Sequence, residues 1–368
     1  MAEAADNQPD PMRRALSLAA RADFATSPNP MVGAVVMNGG EILGEGFHHR
    51  AGEPHAEVIA LEQAGERARG AELWVTLEPC CTTGRTGPCT QRVIAAGVAR
   101  VHVAMVDPNP AVDGAGLADL RRAGIEVVVG ERREEAARLI EFYSVWVRTG
   151  LPFLTLKLAT SLDGKVATAG GDSQWITSAE ARADGHRLRH THDAIMVGAG
   201  TVIADDPELS ARPGVEAARQ PLRVVVDSHL RLDPGARMLR SGDAKAVVAT
   251  VTGVDGERRS RLEDVGAEVV EFPADGAGRV PLRQLLGWLG SRKLISVLVE
   301  GGPTLLGAIQ ADGLGNRVIT YLAPIIIGGA SAPGPFGGDG VARLPQAWRW
   351  HWTEAAMVGP DLRLTAEL

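Results

Sequence analysis

The cysteines of this chain are confined to one short stretch. Cys80, Cys81 and Cys89 are the only cysteines in the sequence, and the triplet His55-Ala56-Glu57 precedes them. Thiolates and imidazoles are ligands that zinc prefers, and a carboxylate that does not bind the metal can carry protons beside it. The pattern therefore predicts a zinc site built from the segment near residue 55 and the segment from 80 to 89.

The order of these residues indicates catalysis. His-x-Glu followed by Pro-Cys and a second cysteine is the signature of the zinc-dependent deaminases. We predict that His55, Cys80 and Cys89 bind the metal and leave its fourth position to a water molecule, whose pKa falls to about 7 in such sites. Glu57 is the predicted catalytic proton carrier, which moves a proton from that water to the departing amine.

Two features leave an alternative open. Structural zinc sites usually fill all four positions with cysteine or histidine, and Cys81 is available as a fourth ligand. The signature also has two residues between its cysteines, whereas eight residues separate Cys80 from Cys89 here. A structural zinc module is therefore the alternative for this part of the chain, although Glu57 favours a catalytic site.

Length and charge limit the classes of protein to be considered. A chain of 368 residues is long enough for two domains. The net charge of −7 argues against nucleic acid or an anionic membrane as a partner, and so against a deaminase that acts on nucleic acid. No apolar run approaches the roughly 18 residues of a membrane span, and the first ten residues do not resemble a signal peptide. The clustered cysteines suit a reducing cytoplasm, where we expect the protein.

The hydrophobic pattern predicts two α/β units, because strands alternate with helices in both halves of the chain. Strands are predicted near residues 32–37, 42, 73–77, 101–106 and 125–129, and then near 153–158, 194–197, 222–226, 246–251, 268–272, 296–299, 318–322, 348–358 and 362–366. Helices are predicted near residues 11–21, 55–64, 88–97, 117–123 and 131–147, and then near 178–190, 257–265, 281–289 and 303–311. The last two strands indicate an antiparallel edge.

Local signals set the predicted boundaries. Asp10 is a suitable N-cap and Pro11 a suitable first residue for the first helix. The sequence around Gly150 and Pro152 indicates a linker. The predicted organisation is a disordered tail at 1–10, a first domain at 11–147, a linker at 148–152 and a second domain at 153–368. The first predicted metal ligand then lies at a helix start and the second just beyond a strand, where open α/β sheets place their ligands.

Motifs along most of the chain resemble the bifunctional deaminase/reductase proteins of riboflavin biosynthesis. In the first half these are Pro28-Asn29-Pro30, Val32-Gly33-Ala34, the segments 51–57, 76–80 and 84–89, Ala104, and Asp107-Pro108-Asn109-Pro110. In the second half they are Leu156-Lys157 and the segments 161–165, 173–178, 200–207 and 299–304. The resemblance implies a cytidine-deaminase-like three-layer α/β/α domain, followed by a dihydrofolate-reductase-like α/β domain.

The resemblance also implies a reaction sequence. A diaminopyrimidinone ribosyl phosphate is deaminated at zinc, and the ribosyl group of the product is then reduced to a ribityl chain with NADPH. Small phosphorylated pyrimidines are the expected partners, and a homo-oligomer is compatible with the sequence. The choice of NADPH over NADH comes from the resemblance alone, because no sequence feature securely recognises a 2′-phosphate.

The resemblance assigns three further sets of residues. Asn29, His48, Arg85, Asp107 and Asn109 line the deaminase pocket. Ala159, Trp175, Thr201, Asp205, Ser228, Gly301, Gly302, Pro303 and Thr304 contact the nucleotide cofactor. Ser173, Arg189, Leu209, Arg212 and Glu300 contact the reductase substrate. Ribose opening needs a group that passes a proton, and the resemblance makes Lys157, Asp205 and Glu300 candidates. Of these, Lys157 and Asp205 are the predicted catalytic residues of the reduction.

Simpler roles exist for several of these residues. Asn29, Asp107 and Asn109 are typical turn residues. His48 is also compatible with the surface, Arg189 with a solvated helix face, Trp175 with a core and Lys157 with a strand edge. The glycine pair at 301 and 302 lacks the Gly-x-Gly-x-x-Gly pattern, and most such pairs form only tight turns.

One departure from the family affects the first reaction. The family usually has Ser or Asn and then His after the first ligand cysteine, whereas this chain has Cys81-Thr82-Thr83. Thr82 keeps a hydroxyl group but lacks an imidazole that approaches the substrate. We predict an active deaminase with altered substrate affinity. The alternative is a chain that works only as a reductase.

Overall fold

The computed structural model describes residues 10–82, 87–211, 219–240 and 245–368. These residues form two compact units that divide between Gly150 and Leu151, within the predicted linker. The predicted site residues Arg85 and Arg212, and residues 1–9 of the predicted tail, lie outside the described ranges. The part of the chain that is described contains no helix long and apolar enough to cross a membrane.

The first unit is built on one five-stranded sheet. Its elements are α1 (Pro11–Ala20), β1 (Gly33–Asn38), β2 (Glu41–Phe47), α2 (Ala56–Ala64), a 3-10 helix (Gly65–Ala68), β3 (Glu72–Val75), α3 (Cys89–Ala96), β4 (Arg100–Val103), α4 (Ala115–Arg122), β5 (Glu126–Val129), α5 (Arg133–Leu139) and α6 (Glu141–Thr149). The strand order is β2-β1-β3-β4-β5, in which β3, β4 and β5 are parallel and β1 is antiparallel to both of its neighbours.

Glycines allow helices to approach both faces of this sheet. A Cβ atom at Gly33 would lie 2.0 Å from the carbonyl oxygen of Ala15 on α1, and one at Gly44 would lie 2.1 Å from that of Ala60 on α2. Gly44 pairs with Val36, so it shares a face with Val36 and not with Gly33. Helices α1 and α2 therefore cover opposite faces, which gives the predicted three-layer arrangement.

The end of the first unit differs from the prediction. A single helix was expected over residues 131–147, but α5 ends at Leu139 and α6 begins at Glu141. The break lies at Ile140, whose φ of −115° and ψ of 20° are not helical. Ile140 and Phe142 are both buried at this break, and the Phe142 ring packs against Phe24, far away in the sequence. Residue periodicity does not reveal it.

The second unit contains a nine-stranded sheet. Its elements are β6 (Phe153–Ser161), α7 (Ala179–Thr191), β7 (Ala194–Gly198), α8 (Ala199–Asp205), β8 (Leu222–Val226), α9 (Arg237–Arg240), β9 (Ala246–Val251), α10 (Gly256–Glu263), β10 (Glu268–Phe272), α11 (Leu282–Ser291), β11 (Ser296–Val299), α12 (Pro303–Ala311), β12 (Arg317–Ala323), a 3-10 helix (Leu344–Gln346), β13 (His351–Val358) and β14 (Asp361–Glu367). The strand order is β10-β9-β8-β7-β11-β6-β12-β14-β13.

The strands from β10 to β12 in this order are parallel, whereas β14 and β13 are antiparallel, which confirms the predicted antiparallel edge. The parallel part is covered on both faces. On β7, Met196 packs into one core cluster, while Ile195 and Val197 pack into another. This arrangement explains the nearly continuous apolar runs of these strands. It also places the carboxyl ends of β6, β7, β8 and β11 at one edge, where a ligand site is expected.

Candidate active sites

The first unit brings the three predicted metal ligands together. His55 is the N-cap of α2, Cys80 lies in the loop after β3, and Cys89 is the first residue of α3. The Nδ1 atom of His55 lies 3.1 Å from Sγ of Cys89 and 3.6 Å from Sγ of Cys80. The backbone N–H of Cys89 also donates to Sγ of Cys80 at 3.4 Å, so the start of α3 holds the loop in place.

The geometry of this group fits zinc. Ligand atoms that are 2.0–2.3 Å from one zinc ion lie about 3.5–3.8 Å apart in a tetrahedron. The three ligand atoms all lie within 4.8 Å of one another, so small adjustments would suffice to bind one ion. Among the described residues, this is the group of histidine, cysteine or acidic side chains whose ligand atoms lie close enough to share one metal ion. Cys81 does not belong to it. The described residues therefore form a possible metal site of one histidine and two cysteines.

The charges of the group also favour a bound cation. Hydrogen bonding from Cys89, together with His55, lowers the pKa of the Cys80 thiol to about 4. The neighbouring Cys80 raises the pKa of Cys89, so the two thiols do not ionise together readily. A cation between them would stabilise both thiolates.

Glu57 lies beside the ligands without belonging to the group. It is in the first turn of α2, and its side chain is 3% exposed. Burial raises the pKa of its carboxyl group, which also hydrogen-bonds to Cys89. A buried carboxyl group with a raised pKa can both hold and release a proton near neutral pH.

Asn29 and His48 form a polar wall next to the metal ligands. The Nδ2 atom of Asn29 lies 3.0 Å from Nε2 of His48, and Nδ1 of His48 lies 3.1 Å from the carbonyl oxygen of Pro54. Burial lowers the pKa of His48, so its ring is neutral, and the ring centroid lies 5.1 Å from that of His55. His48 is 2% exposed, so the surface alternative for this residue is wrong.

Asp107 and Asn109 form a local turn. A carboxylate oxygen of Asp107 accepts from the backbone N–H of Asn109 at 2.8 Å and from the Tyr143 hydroxyl at 3.2 Å. Oδ1 of Asn109 accepts from the backbone N–H of Ala111 at 3.0 Å. These are the turn contacts of the simpler interpretation, and the substrate role of both residues stays a prediction.

The sequence reasoning assigned no role to Glu78, although this residue supports the metal loop. Its buried carboxylate accepts from the backbone N–H groups of Asp107, Gly114 and Gly116 at 2.8–3.0 Å, and from that of Leu117 at 3.3 Å. The carboxylate therefore joins the loop that carries Cys80 to the loop after β4 and to the start of α4. In the sequence, only the position of Glu78 directly before Pro79-Cys80 hinted that it supports this loop.

A cavity of about 1260 Å³ opens at the carboxyl ends of the parallel strands in the second unit. Its lining includes every described residue that the sequence reasoning assigned to the reductase. These are Lys157, Ala159, Ser173, Trp175, Arg189, Thr201, Asp205, Leu209, Ser228, Glu300, Gly301, Gly302, Pro303 and Thr304. Residues from distant segments thus share one cavity, whose volume is large enough for a nucleotide cofactor together with a second ligand.

A buried ion pair belongs to the lining of this cavity. Nε and Nη2 of Arg189 donate to the two carboxylate oxygens of Glu300 at 2.8 and 2.9 Å, and Nη1 donates to the carbonyl oxygen of Ser210 at 3.1 Å. Although burial opposes ionisation, Arg189 lowers the pKa of Glu300 to about 2. Each side chain is 13% exposed, so the solvated-face alternative for Arg189 is wrong.

Lys157 lies near this pair on β6. Strands β11 and β12 flank β6, so the strand-edge alternative for Lys157 is wrong. Burial lowers the pKa of its ammonium group, and Nζ lies 5.6 Å from the ring centroid of Tyr321. A Cβ atom at Gly185 on α7 would lie 3.5 Å from Cε of Lys157, so the glycine leaves room beside the amine.

Other contacts shape the rim and floor of the cavity. Trp175 is 68% exposed and packs against the Arg182 guanidinium, so the core alternative for this aromatic residue is wrong. The backbone N–H of Gly302 donates to the Thr201 hydroxyl at 3.2 Å, which joins the turn after β11 to α8. A Cβ atom at Gly301 would lie 2.8 Å from Cδ2 of Leu305, so this glycine lets the turn pack closely against α12.

The fold and the two sites define a class of enzyme in which a metal-binding deaminase unit is joined to a reductase unit. Residues 6–105 match the family described as the cytidine and deoxycytidylate deaminase zinc-binding region, and residues 152–364 match the RibD C-terminal domain. The riboflavin biosynthesis protein RibD of Escherichia coli strain K12 is 43% identical over 96% of this chain and 97% of its own length. That of Bacillus amyloliquefaciens is 42% identical over 96% and 95%.

Solved structures give the same result. RibD of Acinetobacter baumannii (form 1) is 39% identical, covers 97% of both chains and has a TM-score of 0.88. A diaminohydroxyphosphoribosylaminopyrimidine deaminase/5-amino-6-(5-phosphoribosylamino)uracil reductase from Thermotoga maritima is 34% identical, with the same coverage and a TM-score of 0.83. The chain belongs to the RibD family and is a bifunctional deaminase and reductase of the riboflavin pathway. The predicted family, fold class and enzyme class are thereby confirmed.

Proposed function

We propose that this chain deaminates 2,5-diamino-6-ribosylamino-pyrimidinone 5′-phosphate and then reduces the ribosyl group of 5-amino-6-(5-phosphoribosylamino)uracil to ribityl with NADPH. The observation that carries the first step is the convergence of His55, Cys80 and Cys89 beside the buried Glu57. The observation that carries the second is the shared cavity around Lys157. The Thermotoga maritima relative is named for both activities.

The deamination depends on four groups of this chain. Zinc, held by His55, Cys80 and Cys89, would lower the pKa of a water molecule so that a nucleophile is available at neutral pH. Glu57 accepts a proton at its carboxylate and delivers it to the amino group that leaves as ammonia. Because its carboxyl group is buried and its pKa is raised, Glu57 is suited to both transfers.

The polar wall beside this centre orients the pyrimidine. Because His48 is neutral and Nδ1 faces the Pro54 carbonyl oxygen, its Nε2 accepts from the Asn29 amide. The carbonyl oxygen of Asn29 then remains to accept a hydrogen bond from an amino group of the substrate. The structural-module alternative lacks support, because Cys81 is not among the three residues that group around the metal position.

The reduction uses the charges around Lys157. Ribose opening breaks the bond between the anomeric carbon and the ring oxygen, which takes up a proton, and the anomeric carbon then accepts a hydride that NADPH would supply. Lys157, whose pKa is lowered, and Asp205 are the proposed proton donors. Glu300 is held ionised by Arg189, so it positions charged groups and does not donate a proton.

The test is a mass-resolved assay of the zinc-loaded protein with the diamino substrate, run with and without NADPH. Without NADPH, we expect replacement of one amine by a carbonyl oxygen and release of ammonia. With NADPH, we expect the further addition of two hydrogens. A well-folded, zinc-loaded sample that releases no ammonia would overturn the first step, and a deaminated product that is never reduced would overturn the second.

We also propose that the protein works in the cytoplasm. Its three cysteines are free thiols, and two of them must stay reduced to bind a metal. Fractionation of the source cells should recover both activities with cytoplasmic markers. Recovery with an oxidising extracytoplasmic fraction would contradict this location.

Self-association is a further proposal about assembly. On β13, at the edge of the second sheet, Trp352 is 71% exposed and Met357 is 65% exposed. A β-bulge after Trp352 puts both side chains on one face, because their partners on β14 are Ala366 and Leu362. An apolar face of this kind is suited to a second copy of the chain. Sedimentation should show an oligomer that the Trp352→Lys/Met357→Lys variant weakens, and a monomeric parent protein would contradict the proposal.

A further inference from the structure

The cavity of the second unit is long enough to separate the two halves of a dinucleotide. Strands β6, β11, β7 and β8 are consecutive neighbours in the sheet. Three strand spacings of about 4.8 Å give roughly 14 Å between the ends of β6 and β8. Lining residues follow or lie on all four of these strands, so the cavity extends along this whole edge.

The lining residues orient the cofactor along this edge. Lys157 on β6 and Glu300 after β11 mark the end at which the ribose is reduced, so the nicotinamide belongs there. The turn of Gly301 and Gly302 lies near the middle, where the start of α12 offers N–H groups to a pyrophosphate. The adenosine half then lies toward β8. This orientation rests on the proposed reductase function.

The β8 end of the cavity is built by two segments that are fastened together. The backbone N–H of Val280 donates to the hydroxyl of Ser228, which follows β8, at 3.1 Å. A closed turn precedes Val280: the N–H of Arg279 donates to Oδ1 of Asp275 at 2.8 Å, and the N–H of Asp275 donates to the carbonyl oxygen of Arg279 at 2.9 Å. These bonds place Arg279 on the cavity lining beside Ser228.

Two guanidinium groups at this end have unused donors. The Arg279 side chain makes no hydrogen bond or ion pair with any residue in the described ranges, and it is exposed. Nε of Arg231 lies 3.6 Å from Oδ1 of Asp227, which is longer than a hydrogen bond, and the side chain is 56% exposed. By contrast, Arg237 also lines the cavity but is ion-paired with Glu208.

The exposed hydrogen-bond donors at this end are therefore guanidinium groups. Two carboxylates lie with them: the buried Asp227 accepts through Oδ2 from the N–H groups of Arg231 and Leu232, and Oδ1 of Asp275 accepts from the N–H groups of Ala277 and Arg279 at 2.8 Å. His229 adds a polar ring. A guanidinium group offers donors in a planar fork that matches a phosphate, and such charge-assisted bonds are about twice as strong as neutral ones.

We propose that Arg231 and Arg279 bind the 2′-phosphate of NADPH and make the reductase selective for NADPH over NADH. NADH carries a hydroxyl group at this position, so it forms the other contacts of the cofactor but offers the two guanidinium groups no phosphate. The two residues are specificity-determining residues of the reduction and do not contact the reacting atoms.

The test compares two small probes that differ by this phosphate, adenosine 2′,5′-bisphosphate and adenosine 5′-monophosphate. Calorimetry with the full chain should show that the bisphosphate binds more tightly. In the Arg231→Gln/Arg279→Gln variant we expect its affinity to fall about 10- to 100-fold, while the monophosphate binds as before. The KM for NADPH should rise by a similar factor, and the KM for NADH should not change.

Arg261→Gln is the matched control, because Arg261 is exposed on α10, outside the cavity lining, and its loss changes the net charge by one unit. This variant should keep the parental preference for the bisphosphate. Unchanged binding of the monophosphate to the double variant shows that the fold is intact. Equal binding of the two probes by the parent, or an unchanged preference in the double variant, would overturn the assignment. If the parent prefers the bisphosphate yet oxidises neither cofactor with the deaminated substrate, the reductase proposal fails while this binding site stands.

Discussion

The metal group of the first unit and the cavity of the second unit are specified in different ways. His55, Cys80 and Cys89 are uncommon residue types whose spacing alone indicates their chemistry. The cavity is lined by common residue types from segments more than a hundred positions apart, such as Lys157 and Glu300. A small centre of strong ligands is therefore visible in a sequence, whereas a large cavity made by strand ends becomes visible only when the sheet is assembled.

The strongest test of this comparison is to remove one metal ligand. In Cys89→Ser we expect loss of bound zinc and of ammonia release, because two ligands do not hold zinc tightly. The reductase should continue to reduce deaminated substrate. Elemental analysis and the two separate activity assays check this. Cys81→Ser is the matched control and should keep its zinc; if it loses zinc and Cys89→Ser does not, the ligand set is wrong.

Removal of the proton carrier should have the next largest effect. Glu57→Gln keeps the size of the side chain but removes the carboxyl group that binds and releases a proton. Ammonia release should therefore fall by about 100- to 10,000-fold. Zinc content and reductase activity should match those of the parent. Full ammonia release in this variant would show that Glu57 is not the catalytic acid and base.

In the second site we expect smaller effects of single substitutions, because more than one group is proposed to donate a proton. Lys157→Ala and Asp205→Ala should each slow NADPH oxidation with deaminated substrate, by about 100-fold or more if each donates a proton. Ammonia release by the same variants is the internal control and should not change. If both variants oxidise NADPH at the parental rate, neither residue acts in the reduction.

The second unit should also become less stable in acid, because unfolding allows the buried His192 to bind a proton. Burial lowers the pKa of this histidine to about 4, and its ring is held by the Thr155 hydroxyl at 2.8 Å and the Leu188 carbonyl oxygen at 2.7 Å. Because the unfolded state binds a proton below pH 6.5 and the folded state does not, the free energy of unfolding should fall between about pH 6.5 and 4, by about 3 kcal/mol. Denaturant unfolding across this range measures the change.

His192→Gln provides the comparison for that measurement. The variant lacks the titrating ring, so its free energy of unfolding should depend less steeply on pH in the same window. Parallel curves for parent and variant between pH 6.5 and 4 would contradict the assignment of the acid sensitivity to His192.

The smallest expected effect concerns the departure from the family at Thr82. Thr82 is exposed and directly follows Cys81 in the metal loop. Thr82→His restores the imidazole that the family usually carries there, and one added hydrogen bond should lower the KM of the deamination by about fivefold. Steady-state kinetics with the diamino substrate measure this, with Thr82→Ser as the control. An unchanged or higher KM would mean that this chain recognises the substrate by other contacts.

Much of the fold could be predicted from local patterns. Alternating apolar runs and caps such as Asp10 and Gly97 indicate strands and helix ends, because the backbone must satisfy its hydrogen bonds locally. The break at Ile140 and the short helix α8 were missed. Both depend on packing against distant residues, which the local sequence does not contain.

The sequence alone determined the family and most of the elements and predicted the metal ligands, because ligand chemistry and hydrophobic periodicity are properties of the chain itself. Only the tertiary structure decided that His48 is buried, that Trp175 is exposed and that Arg189 pairs with Glu300. It likewise showed that Glu78 binds the backbone around the loop that carries Cys80, and it placed Arg231 and Arg279 on one cavity. Exposure and ion pairing depend on which segments become neighbours, and that is determined by the order of strands in a sheet.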